Sequence, residues 1–222
     1  MIKIQKGDEP QVITDNIAEW EGILRGHEAA GTNPSDTQLN RYRHDDIKAA
    51  LLAETHRKCA YCESRFGHVY YGDIEHVTPK KLGIEHRFRW ENLTIACRIC
   101  NTNKGIKENL VDPYIHDPED LFYIQGPTIL PLPDSSIARF TEMTIDLNRS
   151  ELLERRNEKL RKLHDLLTLA NEASDPDLKE ALYEQLKSRE TADEMEYAAI
   201  ARAYVSSLVA QGLIPAASAP AA

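Results

Sequence analysis

Two short pairs, Cys59-x-x-Cys62 and Cys97-x-x-Cys100, hold all four cysteines of this chain, and they constrain its fold more than anything else in it. Each C-x-x-C forms a knuckle that turns two thiolates toward one point, and two knuckles complete a tetrahedral shell with no open position. The doubled spacing predicts one structural zinc held by Cys59, Cys62, Cys97 and Cys100. The 34 residues between Cys62 and Cys97 exceed the spacer of a compact zinc ribbon, so a further unit is inserted between the knuckles. Neither pair has the βαβ surroundings of a redox C-x-x-C. Met1-Ile2-Lys3-Ile4-Gln5-Lys6 lacks the apolar core and cleavage site of a signal peptide, and no run of eighteen apolar residues is present. These features predict a cytoplasmic protein without a membrane span, where paired cysteines are metal ligands and not disulfides.

The insert concentrates groups that handle phosphate chemistry. Asp73-Ile74-Glu75-His76-Val77-Thr78-Pro79 lies between the knuckles, Asn92-Leu93 leads into the second, and Cys100-Asn101-x-x-Lys104 follows. Hydrolysis of a phosphodiester needs an activated water, a cation on the scissile phosphate and stabilisation of the leaving oxygen. A neutral imidazole deprotonates water near pH 7, and carboxylate or amide oxygens suit Mg2+ or Mn2+. Charge follows the same pattern. Residues 56–107 carry ten Lys/Arg against five Asp/Glu, while the whole chain has a net charge of −9. A basic centre in an acidic chain suits a phosphate-facing site.

Along the 222 residues the pattern predicts four segments. Residues 1–55 read as mainly helical after a β-like start, with a loop at Gly31-Thr32-Asn33-Pro34-Ser35 and a helix from Asp45 to His56. Residues 56–110 form the core: one strand from Val69 through Ile74 with a turn or bulge at Gly72-Asp73, a second at Leu93-Thr94-Ile95-Ala96, then a short helix from Asn101. Adjacent strand positions point Glu75 and His76 to opposite faces. Residues 111–215 form a Pro-rich wrapping segment with a short strand, then helices broken at Asp175-Pro176. Their Leu152, Leu153, Leu160, Leu163, Leu166 and Leu167 fit either core packing or a docking face. Residues 216–222 read as a disordered tail. His68 and His86 read as solvated loop residues, and Trp90 as a core anchor.

Residues 56–108 resemble the HNH nuclease family in its zinc-knuckle form, whose ββα-metal fold joins two strands and a helix around one divalent ion. The resemblance implies an α+β fold: a small ββα-metal core with four-cysteine zinc knuckles, flanked by N-terminal and C-terminal helices. It further implies that His76 is the general base and that Asn92 holds the base loop and orients the histidine. Glu75 and Asn101 become ligands of a catalytic Mg2+ or Mn2+, the latter making this an H-N-N variant, and Lys104 becomes a phosphate contact. Glu75 departs from the Asp or His usual at its position.

Cys59-Ala60-Tyr61-Cys62-Glu63, Trp90-Glu91-Asn92-Leu93 and Asp112-Pro113-Tyr114 are also similar to HNH proteins of Septu-type and retron-associated antiphage operons. That likeness implies a DNase effector working with an SMC/ABC-like ATPase partner. Two other readings share these residues: a zinc-knuckle nucleic-acid-binding module without catalysis, and an HNH nuclease acting on RNA or tRNA. A binding module does not need His76, Asn92 and Asn101 together.

Overall fold

The computed structural model describes residues 1–67 and 70–215. His68, Val69 and the segment 216–222, for which a loop, a strand start and a tail were expected, lie outside the described residues. The first ten residues form neither helix nor strand; Ile4 N–H donates to the Pro113 carbonyl at 2.9 Å. Helix α1 (Gln11–Ala30) stops at Gly31, whose left-handed φ of 64° lets the Gly31 and Thr32 amides reach back to Glu28 and His27. A capping box between Ser35 and Gln38 opens the one-turn α2 (Asp36–Leu39). A 3-10 turn at Arg41–Arg43 leads into α3 (Asp45–Glu54).

The centre is a two-stranded antiparallel ribbon, β1 (Asp73–His76) and β2 (Leu93–Ala96), with Asp73 opposite Ala96 and His76 opposite Leu93. The first strand is shorter than the sequence predicts. Gly72 has φ 74°, and a Cβ there would stand 2.6 Å from the Phe66 ring and 2.8 Å from Ile95. The chain must pass close over that ring with a left-handed residue, and pairing begins only after it. Helix α4 (Arg98–Lys104) starts three residues before the expected Asn101, because Cys97 Sγ accepts from the Cys100 amide at 3.4 Å and serves as N-cap. Asn101 therefore lies inside the helix.

Residues 112–134 contain a hairpin, β3 (Phe122–Gln125) with β4 (Thr128–Pro131), where one strand was expected. Then follow α5 (Ser136–Ile145), α6 (Ser150–Glu172), α7 (Pro176–Glu184) and α8 (Ala198–Ala210). Asp175 caps α7, with Pro176 at its first turn, where its missing N–H costs nothing. A π-helical turn, Gln185–Arg189, extends α7.

One hydrophobic core joins segments that the sequence divides. Ile13, Trp20, Tyr42, Ile47 and Leu51 pack in the same cluster as Phe88, Trp90, Leu93 and Ile95, and as Val111, Ile145 and Leu152. Residues 1–55 thus share their core with the ribbon. Leu163, Leu167, Leu182, Leu186, Val205 and Leu208 form a second buried cluster among α6, α7 and α8. The leucines at Leu152, Leu163 and Leu167 are core side chains and offer no docking face. No helix among the described residues is long and apolar enough to cross a membrane.

Candidate active site and metal centre

The four thiols converge as their spacing predicts. Cys59, Cys62, Cys97 and Cys100 place their sulfurs within 4.8 Å of one another, and Cys62 and Cys97 stand 3.9 Å apart. A tetrahedron of Zn–S bonds near 2.3 Å has sulfur–sulfur edges of about 3.8 Å. The donor set and its size therefore fit zinc, with no position left for a substrate. Cys97 and Cys100 ride on the start of α4, while Cys59 and Cys62 lie on a tight turn that Glu63 follows with a left-handed φ of 63°. Arg149, between α5 and α6, lays its guanidinium 3.8 Å from Cys100 Sγ and 3.9 Å from Cys97 Sγ. A cation there opposes the negative charge that four thiolates bring to one divalent ion. No local pattern marks Arg149 in the sequence, because it lies 49 residues beyond its partner.

The second site is a cleft of about 680 Å3 bordered by all four residues of β1, so Glu75 and His76 both reach it even though they are adjacent along the strand. Asn101 and Asp73 line it as well.

His76 is nearly buried and fixed by its ring. Its Nε2 lies 2.9 Å from the Arg87 carbonyl. A carbonyl only accepts, so Nε2 carries the proton and Nδ1 keeps its lone pair. Burial, helped by the Lys80, Arg87 and Lys104 charges and opposed by the Arg87 carbonyl, holds the imidazole down to about 3. At neutral pH the ring is uncharged and can accept a proton. Tyr42 packs against it edge-to-face, with ring centres 4.6 Å apart at 82°.

Asn92 clamps the loop that presents His76. Its Oδ1 accepts from the Thr78 amide at 2.7 Å, and its Nδ2 donates to the carbonyls of Thr78 at 2.8 Å and His86 at 2.6 Å. All three bonds go to main chain, across a loop that ends one residue before the Arg87 carbonyl. Asn92 braces the loop between His76 and Arg87 and does not line the cleft.

Lys104 departs from its expected place. It is 1% exposed, and its Nζ donates to the His76 carbonyl at 2.7 Å and to Glu75 Oε1 at 2.8 Å. A buried ammonium must be paired, and the C-terminal turn of α4 aims this one inward at β1, away from the cleft. Burial pushes the Glu75 carboxyl up, with Lys104 pulling it back. One ion pair does not exhaust a carboxylate's lone pairs, so Glu75 can still serve a cation. Glu75 and Asn101 offer hard oxygens on one cleft, a donor set that fits Mg2+ or Mn2+ with its water and phosphate ligands. The groups missed from sequence are Tyr42, the Arg87 carbonyl and Arg149.

Residues 59–107 match the family model of the HNH endonuclease. This segment is similar to an HNH domain. Over 75 residues the chain is 36% identical to the Septu protein PtuB of Bacillus thuringiensis. The alignment covers 33% of this chain and 29% of that protein, so the chain spans under a third of this curated relative. The matched segment holds both knuckles, strands β1 and β2, His76, Asn92 and all of α4. Tyr42 and Arg149 come from outside it, one from each side.

Proposed function

We propose that the chain is a metal-dependent HNH endonuclease that hydrolyses phosphodiester bonds of DNA. The observation that carries this reading is the state of His76: a neutral imidazole pinned through Nε2 and held by the Asn92 clamp. It borders one cleft with Glu75 and Asn101. A binding module without catalysis does not need His76, Asn92 and Asn101 together. In this reading Nδ1 of His76 takes the proton from the attacking water. Glu75 and Asn101 would hold a divalent ion, which supplies charge neutralisation at the phosphate and leaving oxygen. Lys104 keeps the Glu75 carboxylate in place from inside the protein.

The likeness to the Septu protein PtuB supports a further step: the chain acts as the effector nuclease of an antiphage defence complex beside an ATPase partner. Leu152, Leu163 and Leu167 of α6 are buried in the core, whereas Leu153, Leu160 and Leu166 are partly exposed. Leu169, Leu178 and Leu213, each about half exposed, remain as apolar positions near the helical end. Co-purification from the native operon tests this step, and a chain that elutes alone and is unaffected by ATP leaves it without support.

Cleavage of supercoiled plasmid tests the nuclease reading. Activity should require added Mg2+ or Mn2+, and His76→Ala should reduce it by about 10²–10⁴-fold, as for loss of a general base. Zinc content and melting should stay as in the parent. Glu75→Gln and Asn101→Ala should raise the metal concentration needed. A His76→Ala protein that cleaves at the parent rate refutes the assignment.

A further inference from the structure

The cleft has a wall that the HNH domain does not supply. Tyr42, Arg43, Asp45 and Lys48 precede residues 59–107, yet they border the same cleft as His76, Glu75 and Asn101. This wall is anchored. Tyr42 is 1% exposed, packs on the His76 ring, and meets Lys80 Nζ and Asn40 Oδ1 through its hydroxyl. Behind it, Ile47 and Leu51 of α3 are fully buried. Arg43 and Lys48 are therefore carried on a framework fixed relative to the candidate base.

Five cations border the cleft: Arg43, Lys48, Lys80, Lys81 and Arg98. Three carboxylates, Asp45, Asp73 and Glu75, accompany them. Among the described residues none of the five cations is ion-paired. Glu75, the most buried of the three acids, is already committed to Lys104. In a chain of net charge −9, unpaired cations gathered in one concavity repel each other and attract polyanions.

We propose that residues 41–48 form a phosphate-binding wall. Arg43 and Lys48 hold backbone phosphates beside the one presented to His76, so the N-terminal segment sets where a nucleic-acid strand lies. The proposal rests on the nuclease reading of this cleft. Its chemistry is that of the phosphodiester backbone, common to DNA and RNA, and such contacts fix register without reading bases.

The test is binding, measured in a His76→Ala background. That background prevents hydrolysis without a chelator, which would also strip metal from the cysteines. Arg43→Gln/Lys48→Gln is compared with its parent by fluorescence anisotropy over a salt series. The probes are labelled duplex DNA, single-stranded DNA and RNA of one sequence. Affinity at low salt should fall about tenfold or more. For duplex DNA the log–log salt slope should become shallower by about 2, since each phosphate neutralised contributes about 0.9. Asp45→Asn, which removes a repelling carboxylate, should tighten binding. Arg161→Gln/Lys179→Gln removes two charges on α6 and α7 away from the cleft and should leave the slope unchanged. The probe with the largest loss identifies the backbone the wall accepts. A folded Arg43→Gln/Lys48→Gln protein with the parent slope on every probe overturns the proposal, as does an equal change from the remote pair. If His76→Ala still cleaves, the assignment of His76 as the base fails; if the parent protein does not cleave with Mg2+ or Mn2+, the nuclease reading fails. In either case the slope change still reports on the wall.

Discussion

The cysteine cluster and the cleft share helix α4, but they differ in what their side chains have left to give. In the cluster four sulfurs face one another within 4.8 Å, and Arg149 covers two of them. With zinc bound, each donor would be spent on a single ion and the site would be a fold element. In the cleft each group is half used. His76 gives Nε2 to Arg87 and keeps Nδ1; Glu75 gives one oxygen to Lys104 and keeps other lone pairs. Asn101 directly follows Cys100 on the same helix, so the cysteine cluster fixes the helix that carries Asn101 to the cleft. Closure in one site thus provides the rigidity that a half-filled site needs in order to act on a ligand.

The largest effect should come from opening the closed site. Cys97→Ser leaves three thiolates, while its hydroxyl can still cap α4, so the loss falls on the metal shell alone. Structural zinc contributes on the order of 10 kcal/mol in small zinc domains, although here the surrounding core retains part of the fold. Zinc content and the cooperativity of unfolding should fall together, and cleavage should go with them because Asn101 loses its anchor. A soluble variant that keeps one zinc per chain and melts with the parent would break the comparison on its closed side.

Next comes the clamp. Asn92→Ala leaves the Thr78 amide and two carbonyls without their side-chain partner, which should cost about 1–3 kcal/mol. Displacement of the base loop should lower cleavage by about 10²-fold, the scale for a misplacement of roughly 1 Å. Asn92→Asp is the sharper variant. Two carbonyls would then face a carboxylate oxygen in place of an amide N–H, so the isosteric change should harm at least as much as alanine. Plasmid cleavage and thermal melting of both variants provide the check. If aspartate restores activity, Asn92 has another role.

Lys104 separates the sequence expectation from the structure. A phosphate contact predicts that Lys104→Met weakens nucleic-acid binding and flattens its salt dependence by about 0.9 for duplex DNA. The buried pair with Glu75 predicts an unchanged salt slope. It also predicts a lower melting temperature and, with the carboxylate no longer held, a metal requirement raised about tenfold or more. Mg2+ titrations of cleavage beside anisotropy at several salt concentrations distinguish the two.

That contrast also marks what the sequence could tell. The cysteine shell, the second strand and the helix break at Asp175-Pro176 were legible, because each depends on residues a few positions apart. His76, Asn92, Glu75 and Asn101 were visible as a pattern, and the structure brings three of them to one cleft with Asn92 behind it. What was hidden depends on contacts distant in sequence. Lys104 meets strand β1, 28 residues earlier, and no periodicity says whether a lysine at a helix end turns inward or outward. Tyr42 reaches His76 from the N-terminal segment, and the core that unites them ignores the boundary drawn at residue 55. The start of α4 was misplaced because a cysteine is not an expected N-cap, and its sulfur takes that role only in the folded knuckle.

The smallest effect should come from Arg149. Its guanidinium touches Cys97 and Cys100 at distances typical of weak N–H···S contacts, and it is not a ligand. Arg149→Met should therefore leave zinc bound and the fold intact. Four thiolates around one divalent ion carry excess negative charge, and removing the adjacent cation should loosen the ion. The measurement is the rate of zinc release to a coloured chelator, which should rise about tenfold, the low end for loss of an outer-shell partner. Arg149→Lys keeps the charge but loses the flat fork that spans two sulfurs, so it should fall between parent and methionine. The position of lysine on that scale divides the effect between charge and geometry. Arg149 enters from the junction of α5 and α6, outside the HNH domain, so faster release would also mean that the C-terminal helices help close the shell. If release from Arg149→Met matches the parent, the cluster is closed by its four cysteines alone.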